Sequence, residues 1–167
     1  PIVMSTFGLG IAISLVLNTG ATAPAYGTTL RSATTNGCTV DVGSISNATV
    51  TKNGNYCIVT VTASTTVNIP AYVTTASVVL VGAGGGGGTD GGSAGGGGEI
   101  RYNNSQTVTG GSTATVSIGS GGVGGRWGGG SYSTITAAAG GASSISGAGM
   151  DYVANGGSPG VGWNECN

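Results

Sequence analysis

The chain has no histidine, and charge is scarce: four basic and five acidic residues stand among 167. Without imidazole, Ser–His–Asp and Cys–His nucleophile systems are excluded outright. The five carboxylates are spread from Asp41 to Glu165, a spacing that reads as solvated or hydrogen-bonded structural residues and not as an acid–base pair. Three cysteines with no histidine give no recognisable metal-ligand spacing. No enzyme activity, metal or cofactor is therefore expected. The four cations, Arg31, Lys52, Arg101 and Arg126, are too scattered to neutralise a run of phosphates, so nucleic acid is not an expected partner. Charged residues make up 5% of the chain, against about 25% in an ordinary soluble protein. At a net charge of -1 little repulsion keeps copies apart, and residence in an assembly is expected over life as a dissolved monomer. The Ser/Thr/Gly/Val texture points to an extracellular or cell-surface β-protein.

Glycine is what the chain has instead, at 37 residues. Each one loses more backbone freedom on folding than any other residue, about 0.5–1 kcal/mol worse than alanine in a helix or strand. The densest tract, residues 80–98, reads LVGAGGGGGTDGGSAGGGG directly after the apolar run Ala76-Ser77-Val78-Val79-Leu80-Val81. Something else must hold it: backbone hydrogen bonds, close approach of neighbouring segments, or a polymer lattice. Gly82-Ala83-Gly84-Gly85-Gly86-Gly87 satisfies a dinucleotide fingerprint, but that site needs a helix where the glycines end, and residues 88–98 cannot form one. Asp90 stands alone where a calcium-binding nonapeptide repeat needs several in register. A structural or display role is expected.

No charge occurs before Arg31, and Ile2 to Leu17 is almost continuously apolar. The cationic start of a secretory signal is missing, although Ala23-Pro24-Ala25 resembles a cleavage site. The expected history is a leader removed before Pro1 with the apolar segment retained. As a strand, Phe7, Leu9, Ile11, Ile13, Leu15 and Leu17 alternate with Gly8, Gly10, Ala12, Ser14 and Val16. As a helix, Phe7/Ile11/Leu15 and Leu9/Ile13/Leu17 form two stripes, and Gly8/Ala12 and Gly10/Ser14 are small pairs that allow close helix approach. Such a helix, about 24 Å long, falls short of the roughly 20 residues that span a bilayer comfortably. Burial against copies of itself fits the length better, with Ile2, Val3, Phe7, Leu9, Ile11, Ile13, Leu15, Val16 and Leu17 as assembly residues. In this stretch the chain weakly resembles type IV pilins and their archaeal relatives, whose apolar N-terminal helices bundle along the fibre axis. It departs from them in Ser5, where bacterial pilins carry an acidic residue, and in Pro1. The strand alternative implies donor-strand exchange between subunits.

From Gly37 the pattern is β. Cys38 to Val42 alternates, Ser46 to Thr51 follows, and Lys52-Asn53-Gly54-Asn55 predicts a hairpin with Asn-Gly in a type I′ turn. Tyr56 to Val61 is the return strand, Thr65 to Ile69 ends at Pro70, and Ala76 to Val81 reads as a fully buried strand. Cys38 and Cys57 flank the turn-rich segment. Bridging them contributes about 3 kcal/mol on the chain-entropy model; two buried thiols in neighbouring strands are the alternative. Cys166 is left over, either free or linking another subunit.

YCIVTVTASTTVNIPAYVTTASVVLVGAGGGGG, then GGSAGGGGEI, VTGGSTATVSIGSGGVGG and STITAAAGG, carry a resemblance over residues 56–142. This region resembles the glycine-rich domain of actinobacterial surface proteins and of phage tail-fibre or receptor-binding proteins. The resemblance implies a β-sandwich-like module with long glycine loops or polyglycine II segments, used for surface display and adhesion, and no catalysis. Arg126, Trp127, Tyr132, Tyr152 and Trp163 lie in or beyond the glycine region. Either they form a glycan or receptor platform, or each ring covers a glycine-rich face or subunit interface.

The expected architecture is mainly β: an apolar N-terminal helix or donor strand over residues 1–27, a β-hairpin region over 28–75 and a glycine-rich β domain over 76–167. The expected function is a structural, pilin-like subunit of an extracellular filament, a homo-oligomer assembled by burial of its N-terminal segment. At about 25 cal/mol per Å2 that burial supplies well over 10 kcal/mol per copy before entropy losses. Removing residues 1–20 is expected to leave a soluble monomer. The alternatives are a phage tail-fibre or surface adhesin binding module, and a membrane-anchored surface protein.

Overall fold

Alternation of β-branched and polar residues sets the strands, and the computed structural model describes residues 13–18, 32–35, 38–89, 92–127 and 134–162. In chain order the strands are β1 (Ile13–Asn18), β2 (Ser32–Thr35), β3 (Cys38–Asp41), β4 (Ala48–Asn53), β5 (Tyr56–Val61), β6 (Thr65–Asn68) and β7 (Thr75–Val81). After the first glycine tract come β8 (Ile100–Thr107), β9 (Thr113–Ser117), β10 (Arg126–Trp127), β11 (Thr134–Ile135), β12 (Ser143–Gly147) and β13 (Met150–Ala154). The fold is mainly β, with no helix among the described residues.

Two sheets carry the core. One is five-stranded in the order β4-β5-β1-β7-β8, the other four-stranded in the order β13-β12-β9-β6, and every neighbouring pair is antiparallel. Val59, Val78 and Leu80 of the first sheet join Val67, Val116 and Ile145 of the second in one cluster. Each is at most 2% exposed. Burying such a side chain is worth about 1.5–3 kcal/mol. The sequence division at residues 75 and 76 does not map onto separate sheets, because both sheets draw strands from either side of it.

Two local expectations are corrected. β7 was expected to be buried on both faces; instead Ala76, Val78 and Leu80 are buried while Ser77, Val79 and Val81 are half-exposed. An apolar run inside an antiparallel sandwich needs only one covered face. In the β4–β5 hairpin, Asn53 pairs with Tyr56, so Gly54-Asn55 forms the turn. Gly54 has φ +59° and Asn55 does not have positive φ. That is the type II′ requirement, with glycine at the first central position, and not type I′.

The glycine tracts are not slack loops. The N–H groups of Gly82, Gly85 and Gly88 donate to the carbonyls of Glu99, Gly96 and Ser93, at 2.8–2.9 Å. Ala83 and Gly86 donate to Gly141 and Ala138, while their own carbonyls accept from Gly157 and Gly160. The carbonyls of Gly84 and Gly87 accept from Gly122 and Gly125. Residues 82–88 thus bond to four neighbouring segments, where a strand in a sheet bonds to two. Every partner recurs at a step of three residues, the repeat of a polyproline-II-type helix, which has three residues per turn and no internal hydrogen bonds. Close approach explains the composition: a Cβ on Gly82, Gly85 or Gly88 would lie 2.0, 1.9 or 2.0 Å from the carbonyl oxygen of Asn155, Ser158 or Val161.

Candidate functional site

β5 and β7 are adjacent in the sheet only through β1. The strand between them, β6, crosses to the other sheet, which leaves a slot one strand wide. β1 fills it, with Ile13, Leu15 and Leu17 in register with Val61, Val59 and Cys57 on one side. On the other side Leu15 and Leu17 are in register with Val78 and Ala76. The buried partners Val59, Val61, Val78 and Ala76 form the wall of the core at this point. Of the two readings left open by the sequence, strand is the one that Ile13–Asn18 adopts. The slot offers these residues a hydrogen-bonding ladder on both sides; residues 1–12, where the expected helix would begin, lie outside the described residues. Of the expected assembly residues, Ile13, Leu15, Val16 and Leu17 lie in this strand, while Ile2, Val3, Phe7, Leu9 and Ile11 lie outside the described residues.

A groove of about 390 Å3 opens between β8 and β13, the outer strands of the two sheets, with Val78 and Leu80 among its lining residues. Glu99, Arg101, Tyr102, Asn103 and Tyr152 line it as well. Tyr102 is 52% exposed. Tyr152 was expected as a prominent ring, but it is partly buried and its hydroxyl is engaged: Asn103 Nδ2 donates to it at 2.8 Å, and it donates to Gln106 Oε1. The Gln106 amide is itself anchored on the Gly149 carbonyl at 2.8 Å. Burial of a phenol demands such partners.

Glu99 joins the groove to the glycine bundle. Its Oε2 accepts from the backbone N–H and the side-chain amide of Asn155, both at 2.9 Å, and its Oε1 accepts from Arg101 Nε at 2.8 Å. The Asn155 N–H is the main cause that holds the Glu99 carboxyl below its ordinary value, against some desolvation and with help from Arg101. Sequence reasoning missed Glu99, Arg101, Tyr102 and Asn103. The available signal was Glu99-Ile100-Arg101, opposite charges two residues apart where the glycine tract ends, hence on one face of a strand.

The other expected site residues do not converge. Arg126 and Trp127 form β10, paired only with β11, whereas Tyr152 lies in the four-stranded sheet. Tyr132 and Trp163 lie outside the described residues. Cys57 is buried at 2% exposure in β5, while Cys38 opens β3 and its side chain, like Cys166, falls outside the described part. Among the described residues no group of three or more His, Cys, Asp or Glu is placed to hold a metal ion. No helix among them is long and apolar enough to cross a membrane.

A family model described as a glycine-rich domain matches residues 59–167. The match begins inside β5 and takes in the glycine bundle, the groove and the eight strands β6 to β13. No curated protein matches the chain. No solved structure matches it either.

Proposed function

The chain belongs to the glycine-rich domain family, and we propose that it is a structural, pilin-like subunit of an extracellular filament. Its N-terminal apolar segment is the assembly element, and the polyglycine II-type bundle is an outward display module. One observation carries the reading: Ile13–Asn18, which takes in the end of the apolar run, is no accessory tail but supplies the middle strand of the larger sheet. A bundle held on four sides by backbone hydrogen bonds is a rigid, chemically bland body, as an outer sheath requires. Location outside the cell and a Cys38–Cys57 bridge belong to the same proposal; thiol titration of the denatured, unreduced protein then finds at most one free thiol per chain, and two or more refute the bridge.

The place of β1 changes what truncation should do. Removing residues 1–20 opens the centre of a sheet, so the expected product is a destabilised or aggregating chain and not a well-behaved monomer. The sharper test is electron microscopy with sedimentation of the intact chain at micromolar and higher concentrations. Fibres of uniform width are expected; a sample that stays monomeric throughout refutes the filament.

The groove favours a second reading, a surface adhesin or tail-fibre binding module. An exposed phenol ring beside a carboxylate, a guanidinium and an amide suits a saccharide face, where stacking and hydrogen bonding act together. It predicts that Tyr102→Ala abolishes attachment to cells or glycans without changing oligomeric state.

A further inference from the structure

We propose that β1 is an exchangeable strand: the slot between β5 and β7 of one copy accepts Ile13–Asn18 of a second copy, joining copies head to tail. The proposal rests on the filament reading and names the partner and the contact.

The slot has to be filled. Without β1 the larger sheet falls into two pairs, β4-β5 and β7-β8, each with an unpaired inner edge above buried Val59 or Val78. An exposed edge of this kind is a template for another strand. Six register pairs with β5 and four with β7 define what fits, and every copy of the chain carries it.

The tether permits exchange. β1 is the first described strand, and 13 residues separate Asn18 from Ser32. Fully extended, that length reaches about 45 Å, enough to leave one sandwich and enter another. The two ladders are the same whether the strand comes from its own chain or a neighbour, so the strand's own interactions do not choose between them. A short tether gives an effective concentration on the order of millimolar. Self-insertion therefore wins in dilute solution and exchange wins when chains fold together at high concentration. Donor strand and acceptor slot are different surfaces of one chain, so each exchange leaves one of each free. Such a heterologous contact closes into rings where the rotation between copies permits and otherwise propagates into filaments.

The test uses the full chain with Cys166→Ser as parent. Val16 and Ile58 are register partners, so Val16→Cys and Ile58→Cys are placed in separate chains, refolded together at about millimolar concentration and oxidised. A non-reducing gel should show a band at twice the chain mass, absent from the parent and from the mixture refolded dilute. A chain carrying both substitutions should close internally when dilute and give a covalent ladder when concentrated. Internal closure at every concentration, with no band from the mixed chains, overturns the proposal. If fibres form in that same preparation, the filament reading survives and exchange alone fails. A double variant that never cross-links puts β1 outside the slot and also refutes exchange. Should the cysteine variants not fold, tagged and untagged parent chains replace them. Co-purification of the untagged copy after joint concentrated refolding is then expected, and its absence refutes the idea.

Discussion

In the sandwich, Val59, Leu80 and Ile145 reach 0% exposure by interlocking side chains from two sheets. In the bundle, Gly82 and Gly86 are buried too with no side chain at all, because the backbones of neighbouring segments close over them. The sandwich excludes water with hydrocarbon, and its polar backbone is satisfied along two edges per strand. The bundle has almost no hydrocarbon to bury and draws on hydrogen bonds in several directions around each segment. The two regions should therefore fail in opposite ways, the first when atoms are removed and the second when atoms are added.

The largest effect is expected from Leu80→Ala, which leaves a cavity where both sheets meet. Chemical denaturation should report a loss of about 4 kcal/mol; a loss below about 1 kcal/mol would mean that the two sheets do not share one core. Next comes Gly85→Ala, whose added methyl carbon lies 1.9 Å from the Ser158 carbonyl oxygen. Backbone has to move, at a cost of about 3 kcal/mol. Gly87→Ala is the matched control, since a Cβ there meets nothing within 4 Å. It should be neutral or stabilising by up to about 1 kcal/mol through the unfolded chain. Equal losses from the two substitutions would break the comparison.

Smallest is the effect at the seam between the regions. The Glu99 carboxyl is held below its ordinary value, so the ionised form favours the folded state. That contribution is fully present above the ordinary unfolded carboxyl value and disappears as pH falls through the lower folded value. Thermal melts should show Glu99→Gln below the parent at neutral pH, with the gap closing on acidification. A gap that does not change between neutral and acidic pH would mean that the charge contributes nothing.

Much of the sandwich was legible in the residues. The strands around Cys38, Ala48, Tyr56 and Thr65 announce themselves by their β patterning and Ala76–Val81 by its apolar run, and Asn53-Gly54 locates the hairpin to within one residue of its true turn. β8 was not legible: Asn103-Asn104-Ser105-Gln106 carries no apolar alternation, because the strand lies at the edge with its residues largely exposed. β12 and β13 escaped as well. Their hairpin turns at Ala148-Gly149 with both residues at positive φ, +51° and +83°, and alanine gives no warning of that conformation. Within the candidate site, Tyr152 was noticed for its size, but its partners Asn103 and Gln106 lie 49 and 46 residues away in sequence. Nothing local links them.

Composition and periodicity alone determined that this chain is a β-protein, that imidazole chemistry is closed to it, and that its glycines require backbone partners. Those are properties of side-chain size, charge and repeat, which act over a few residues and survive in any fold. Only the tertiary structure decided that the partners come from four segments at once, that Glu99 caps the bundle, and that the first described strand lies in the middle of a sheet. Each of these depends on which distant backbones approach within hydrogen-bonding distance, and glycine, having no side chain, leaves no mark in the sequence of which neighbour it will meet.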